Sequence, residues 1–548
     1  MTTQSAGHLI VESLKAHGVD RVFSVPGESY LDLLDGLYGS GIENVVCRQE
    51  GGAAYMAEAV GKATGRPGVA MVTRGPGASN AFVGVHLAWQ DSTPLVLFVG
   101  LIPYGHRMKE AFQEFDPNAW FGTQAKRVLV LDEAERASEV VAQAFFAATS
   151  GRPGPVVVGL PEDVVAQMVE APVHPVIPVT EGSVAPEELA GLTAALEGAQ
   201  RPALLLGGPR WTPEAAAQVT RFAEANDIPV LSDWRAADRV PWDSPVNAGE
   251  LGYGRTAKAA EVLEQADVLV VVGGTLSDVP TDDFTLRQDP AAVNWVVNID
   301  PSLRQHSGAV TRQLLASPVA FGRAVEGVVL GEHADWGPWT RAAAEDHART
   351  VAIPQDPGAN RPGTANMTRV MAEVRRHLPA DAAVTFGSGN HTAWAHYYFP
   401  CTTYPSQFSV RNGTMGYSIP AAAAVSLTQP ERFVVSVAGD GEFLMNSQEL
   451  ATAVQYGAKA LVLVMDNGQY GTIRSHQEAH YPGRVSGTQL ANPDFVALAR
   501  GYGAFGAVLD DDAEIGATIA AAVDAVRAGT PAVVHVKVDR ALVLPSAN

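Results

Sequence analysis

The sequence of 548 residues predicts an α/β protein built from three doubly wound parallel-sheet domains. Three observations carry this expectation. Short, continuous apolar runs alternate with stretches of helical period, the pattern of parallel strands covered on both faces. Two segments break the rhythm, the Pro-rich residues 171–187 and residues 332–363, which end in PQDPGANRPG. At ~100–200 residues per domain, the length accommodates three. The domains fall at 1–170, 188–331 and 364–548, with the two breaks as linkers.

In the first block the runs 22–25, 44–47, 68–73, 95–100 and 155–160 predict strands, and 133–149 has helical period. In the second block the strands fall at 203–207, 230–231, 268–272 and 295–299. In the third they fall at 384–386, 433–438, 460–466 and 532–538, with a helix over 446–456 between the middle two. Ligands of such sheets sit outside the carboxyl ends of the strands, so the loops there are where chemistry is sought.

Composition narrows the function classes. Hydrophobic residues make up 47% of the chain, too many for a disordered protein. The net charge of −21 disfavours a nucleic-acid or anionic-membrane partner and fits small-molecule metabolism. Two cysteines, Cys47 and Cys401, exclude a disulfide framework and a multi-Cys zinc site. Cys47 reads as a small buried hydrophobe. The N-terminus carries no basic segment followed by an apolar core, and no apolar run approaches the ~20 residues that span a bilayer. The expectation is a soluble, cytoplasmic protein. Residues 24–30 lack the GxGxxG of a dinucleotide fold after the first strand, which speaks against a dehydrogenase.

The strongest chemical signal lies in the third block. The run 433–438 leads into Gly439-Asp440-Gly441, and the run 460–465 ends at Asp466-Asn467-Gly468-Gln469. The 25 residues between Gly441 and Asn467 suffice for a helix joining two parallel strands, so a carboxylate and an amide oxygen emerge side by side. Hard oxygens of this kind suit Mg²⁺, which binds few protein oxygens together with phosphates. The glycines let the backbone approach a diphosphate. In the first block, 44–47 leads to Arg48-Gln49-Glu50 before a helical stretch. A lone Glu there is ordinarily an N-terminal charge favoured by the helix dipole.

Together these motifs resemble the thiamine-diphosphate-dependent enzymes, whose cofactor motif is GDG, roughly 25 residues, then Asn. The stretch CRQEGGAAYMAEAVGKATGRPGV followed by TRGPGASN resembles the acetolactate-synthase-like members nearly residue for residue. The resemblance implies Mg²⁺ held by Asp440, the side chain of Asn467 and the main-chain carbonyl of Gln469. It implies that Glu50 shares a proton with N1′ of the aminopyrimidine. The 4′-nitrogen can then take the C2 proton, work that suits a carboxyl group in an apolar setting. The segment 111–116, AFQEFD, implies that Phe112 and Gln113 face thiazolium and substrate, and Lys126 falls on a pocket-lining lysine. Asn390 and His391 would contact the diphosphate. The carbonyl of Gly413 would accept from the 4′-amino group, and Met415 would bend the cofactor. Pro26, Thr73, Pro76, Asn80, Gly439, Gly441, Glu442, Tyr470 and Gly471 complete the implied cofactor-binding set. Glu50 and the Asp440 loop meet across a subunit interface in this family, so a homodimer is the minimum unit and a homotetramer, a dimer of dimers, is common.

The sequence also departs from the family pattern. His476 stands where an indole gates the second substrate, and Val279 where an arginine grips the second 2-oxo acid. A neutral side chain cannot replace that bidentate clamp, so a main product other than acetolactate is expected. Arg74 and Arg474 are candidates to receive an anionic group, although each also reads as a structural charge. The Gly207-Gly208-Pro209-Arg210 turn admits FAD or ADP, but a Gly-rich turn alone favours a vestigial reading. The adjacent-histidine pair of simple 2-oxo-acid decarboxylases is absent. The leading expectation is 2-oxo acid decarboxylation with carboligation. The alternative is a 2-hydroxyacyl-CoA lyase, an oxalyl-CoA decarboxylase type or an acyloin (benzaldehyde-lyase-type) lyase. A non-catalytic protein on this scaffold would lack Glu50 or the metal loop, and both are present.

Overall fold

The computed structural model describes residues 3–303 and 306–545. Three six-stranded sheets, parallel throughout, account for its framework. The first has the spatial order Glu43–Val46, Arg21–Ser24, Gly68–Val72, Leu95–Leu101, Pro155–Pro161, Arg127–Val130. Counted along the chain this is 2-1-3-4-6-5. The third sheet, Gln407–Phe408, Ala383–Phe386, Val434–Gly439, Leu461–Asp466, Ala532–Lys537 and Phe505–Leu509, repeats that order. The central sheet does not. It runs Asn247–Glu250, Val230–Ser232, Pro202–Leu206, Val268–Val272, Val293–Val297, Arg312–Leu314, which is 3-2-1-4-5-6, the dinucleotide-fold order. A two-stranded antiparallel ladder, Gln4–Ser5 with Met168–Val169, ties the start of the first block to its end.

The inner strands form because their residues are apolar on both faces. All seven residues of Leu95–Leu101 are buried, and so are all of Val268–Val272. The edge strands Arg127–Val130, Asn247–Glu250, Arg312–Leu314, Gln407–Phe408 and Phe505–Leu509 carry no such run, and the sequence pattern does not reveal them. Two further expectations are corrected. The helix expected over 446–456 is two, Asp440–Asn446 and Glu449–Tyr456. The first begins directly after the strand's last residue, Gly439, so Asp440 is a helix-start residue. The expected linker 332–363 contains the helix Gly337–Val351. The indole of Trp336 donates to the Ala199 carbonyl (3.1 Å) and that of Trp339 to the Pro202 carbonyl (3.0 Å), which fastens this helix to the central sheet. Among the described residues, no helix is long and apolar enough to cross a membrane.

The main contact between the first and third blocks within the chain is one helix pair. Glu50–Thr64 follows the second strand of the first sheet, and Ser418–Thr428 follows the second strand of the third, so the partners are topological equivalents. Both are rich in small residues, and Ala53, Ala57 and Ala421–Val425 share one core. Small faces let helix axes approach closely. On its other side Glu50–Thr64 packs on Gly75–Asp91, where a β-carbon added at Gly84 would overlap that of Ala54. Gly84→Ala is therefore expected to lower stability by about 1–3 kcal/mol through overpacking, read as a lower urea midpoint at unchanged far-UV circular dichroism.

Candidate active site

The strands Val434–Gly439 and Leu461–Asp466 end level, with Gly439 opposite Met465. Their ends place two carboxylates together. The Gly468 N–H donates to Asp440 Oδ2 (3.0 Å) and to Asp466 Oδ1 (2.9 Å). Asn492 Nδ2 donates to the same two oxygens at 2.7 and 2.8 Å. His535 Nε2 lies 2.7 Å from Asp466 Oδ2. Burial pushes the Asp440 carboxyl up to about 6, opposed by the Asn492 bond and reinforced by the Asp466 charge. Burial is the largest single influence on Asp466 and works against its charge, but the bond and charge of His535 together with the bonds from Asp440 and the Gly468 N–H outweigh it and hold that carboxyl below its usual range.

Above these strand ends lies a cavity of about 220 Å³. Twelve sequence-predicted residues line it: Asn390, His391, Gly413, Met415, Gly439, Asp440, Gly441, Glu442, Asn467, Gln469, Tyr470 and Gly471. Met367, Trp394, Ile473 and Leu542 add apolar wall. The glycines are required by space. A β-carbon on Gly441 would lie 2.5 Å from the Tyr470 ring, and one on Gly389 2.8 Å from His391. Two buried polar atoms of the cradle, His391 Nε2 and Glu442 Oε2, lack a hydrogen-bond partner and lie 3.4 Å apart. Among the described residues no cluster of three or more His, Cys, Asp or Glu could hold a metal. A cation here has one carboxylate, Asp440, with amide and peptide oxygens and whatever oxygens its ligand brings, a donor set that fits Mg²⁺ on a diphosphate.

A second cluster occupies the carboxyl end of the first sheet. Glu50 is the first residue of Glu50–Thr64, where the Gln49 side chain accepts from the Gly52 N–H. Asn80 Nδ2 donates to Glu50 Oε2 (2.9 Å). Both Asn80 and Pro76 belong to the helix Gly75–Asp91, with Pro76 in its first turn. Ser29 Oγ and Thr73 Oγ1 are 2.9 Å apart, and a β-carbon on Gly27, next to Pro26, would strike Thr73. The Gly75 N–H donates to the Gln113 carbonyl (3.2 Å), with Gln113 in the left-handed region at φ 64°. Phe112 beside it is 75% exposed. Among the described residues none of this cluster lines the cavity of the third sheet. Within one chain Glu50 and the cavity are separate sites, although the helix that Glu50 begins touches the cavity wall through Tyr55.

Other expected residues lie elsewhere. His476 is exposed on the helix Gly471–His480, one turn beyond Thr472, and it is Thr472 and Ile473 that line the cavity. Arg74 is buried between Glu28 (3.1 Å) and Glu162, which makes it a structural ion pair. Arg474 pairs with Glu478 (2.9 Å) and donates to Gln469 Oε1 (3.2 Å). Lys126 precedes an edge strand at its amino end, far from the strand ends that carry the site, and donates to the Ser150 carbonyl. Burial, with Arg210 and Arg152 nearby, pulls its ammonium down to about 8. In the central sheet the strand order reverses between Pro202–Leu206 and Val268–Val272. There Gly208 (φ 66°) faces the Gly273 carbonyl so closely that a β-carbon would strike it, and Arg210 pairs with Glu181. Asn492 and His535 escaped sequence reasoning, because neither belongs to a motif or stands near one in the chain.

Comparison with known proteins finds three family models in chain order. They are the thiamine pyrophosphate enzyme N-terminal TPP binding domain over residues 4–120, the central domain over 189–317 and the C-terminal TPP binding domain over 387–536. The acetolactate synthase isozyme 2 large subunit of Escherichia coli (strain K12) is 31% identical over 506 residues, 91% of this chain and 89% of its own length. The acetolactate synthase large subunit of Parasynechococcus marenigrum (strain WH8102) is 32% identical over 556 residues, 98% of this chain and 88% of its own. The probable acetolactate synthase large subunit of Methanocaldococcus jannaschii is 30% identical over 521 residues, 90% of this chain and 85% of its own.

The shared donors make a prediction about Asn492. Asn492→Ala removes the amide that both carboxylates use, at an expected cost of about 1–3 kcal/mol. Asn492 holds the Asp440 carboxyl down, so the loss grows as Asp440 ionises. Urea unfolding should show a larger penalty at pH 8 than at pH 5, and an equal penalty would contradict the shared-donor account.

Proposed function

Because the chain belongs to the thiamine pyrophosphate enzymes, we propose that it decarboxylates a 2-oxo acid such as pyruvate and joins the remaining acyl unit to an acceptor carbonyl. The observation that carries this reading is the convergence of Asp440, Asn467 and Gln469 on one glycine-walled cavity at level strand ends. Thiamine diphosphate, the family's cofactor, supplies the electron sink for breaking and making the carbon–carbon bond. The chain's residues do the rest. The Asp440 carboxylate, the Asn467 amide oxygen and the Gln469 carbonyl hold Mg²⁺ and with it the diphosphate. Gly439, Gly441, Glu442, Asn390, His391, Tyr470 and Gly471 shape the diphosphate seat. Gly413 and Met415 face the aminopyrimidine. Glu50, oriented by the Asn80 amide, holds the proton at N1′. Pro26, Thr73 and Pro76 wall the pyrimidine side, and Gln113 and Phe112 meet the substrate.

Glu50 is not among the residues that line the cavity, which supports a site completed by a second copy. Exposed apolar side chains near the cavity, Met445 and Ile473 among them, support such a partner. We take a homodimer as the minimum unit, with a homotetramer as its doubled form, in the cytoplasm, and 1–170, 188–331 and 364–548 as the three domains. Val279 offers the acceptor no charge, which favours an aldehyde or ketone over a second 2-oxo acid. FAD or ADP is possible but not favoured: Gly208, Pro209 and Arg210 border a cavity of about 530 Å³, but Arg210 is committed to Glu181.

NMR of the protein with thiamine diphosphate, Mg²⁺ and pyruvate, with and without acetaldehyde, tests the reading. Pyruvate should be consumed, and Glu50→Gln should slow the reaction by about 10²–10⁴-fold. Pyruvate left untouched by a cofactor-loaded protein would reject the 2-oxo acid reading and bring acyloin and 2-hydroxyacyl-CoA substrates forward. Mg²⁺ binding should also depend on pH. Asp440 takes a proton near pH 6 in the metal-free protein and binds the cation only after losing it. Calorimetry should therefore show affinity falling about tenfold from pH 7 to pH 5.

A further inference from the structure

The helix Glu50–Thr64 has a second connection besides its first residue. Its body, together with Asp91 at the end of Gly75–Asp91, grips residues 409–417 of the same chain's third module. Tyr55 Oη is 2.6 Å from Thr414 Oγ1 and 3.4 Å from the Met415 carbonyl. Tyr417 Oη donates to Glu58 Oε2 (2.8 Å). The Arg411 N–H donates to Asp91 Oδ1 (3.0 Å), and Lys62 Nζ donates to the Ser409 carbonyl. Glu58 is fully buried, with Lys62 (3.2 Å) and Thr93 (2.8 Å) as its other partners. Within the gripped segment lie Gly413 and Met415, both of which line the cavity.

We propose that Tyr55 is a positioning residue for the Gly413–Met415 turn of its own chain, while Glu50, on the same helix, serves the cavity of the other copy. This rests on the dimeric reading given above. The geometry supports it because the hydroxyl of Tyr55 reaches the turn at its middle and last residues, Thr414 and Met415, while the other restraints on Thr414 are local: the Asn412 side chain accepts from its N–H (3.1 Å) and its hydroxyl donates to the Met415 carbonyl (3.4 Å). The flanking contacts of Ser409, Arg411, Gly416 and Tyr417 hold the ends of the segment, so loss of the Tyr55 bond loosens the turn itself, and shifts of fractions of an ångström there spoil alignment of reacting groups.

Hybrid dimers with differently tagged chains separate the two roles. With Glu50→Gln and Tyr55→Phe on one chain and none on the other, the single live site uses a cavity whose own Tyr55 is gone. With Glu50→Gln on one chain and Tyr55→Phe on the other, the single live site uses a cavity whose own Tyr55 is intact. Both hybrids carry the same two substitutions, so a general loss of stability affects them equally. The first should lose about fivefold or more in kcat, with weaker thiamine diphosphate binding, and the second should match a hybrid carrying Glu50→Gln alone. Equal rates in the two hybrids, whether both intact or both impaired, would overturn the proposal. Should Tyr55→Phe fail to fold, Thr414→Val, which removes the other partner of the 2.6 Å contact, enters the same scheme on the cavity-bearing chain. A fully active Glu50→Gln homodimer would instead reject the underlying reading of Glu50.

Discussion

Two carboxylates held side by side at the ends of adjacent strands set the terms for the site. Level strand ends make the neighbourhood of Asp440 and Asp466 unavoidable. Partly buried like charges repel, and the protein answers with shared donors, the Gly468 N–H and the Asn492 amide. It then treats the pair unequally. Asp466, outside the cavity lining, is satisfied by His535 and stays ionised. Asp440 lines the cavity, holds a proton more tightly, and is the member of the pair that a cation would relieve. The helix that starts on Asp440, and the glycines that flank it, turn this buried carboxylate toward the cavity, where the proposed Mg²⁺ would meet it.

The division of labour between modules follows from the same economy of strand ends. The third sheet brings Asp440, Asn467 and Gln469 to a glycine-walled cavity, and the first brings Glu50 and the Asn80 amide that orients it. Neither module contains both. The central sheet, with its different strand order, contributes no residue to the cavity among those described. At its reversal of order the Gly208 and Gly273 turns touch, and the Gly208 turn borders a separate cavity of about 530 Å³.

What the sequence disclosed tracks what each residue is surrounded by. Inner strands such as 268–272 were legible because burial on both faces demands an unbroken apolar run. Edge strands such as Arg312–Leu314 were not, since one flank meets solvent and tolerates charge. Asp440 and Asn467 were legible because strand, turn and spacing constrain them together. Asn492 was not, because its role depends on a loop returning 52 residues later in the chain to lie between two carboxylates. Arg74 could be weighed as a substrate ligand from sequence, but its two glutamate partners are distant in the chain and appear only in the folded state. The helix Gly337–Val351 hid within a segment whose prolines and tryptophans mimic a linker, yet those indoles are what anchor it.

The paired small-residue helices bear on how the two modules differ. Two sheets of identical strand order meet through the same helix of each, Glu50–Thr64 against Ser418–Thr428. The two modules thus present equivalent helices to each other, yet the heads of those helices carry different chemistry. One half has an acid at the head of its helix, at Glu50. The other has Ser418 at that place and carries its carboxylate one strand further on, at Asp440.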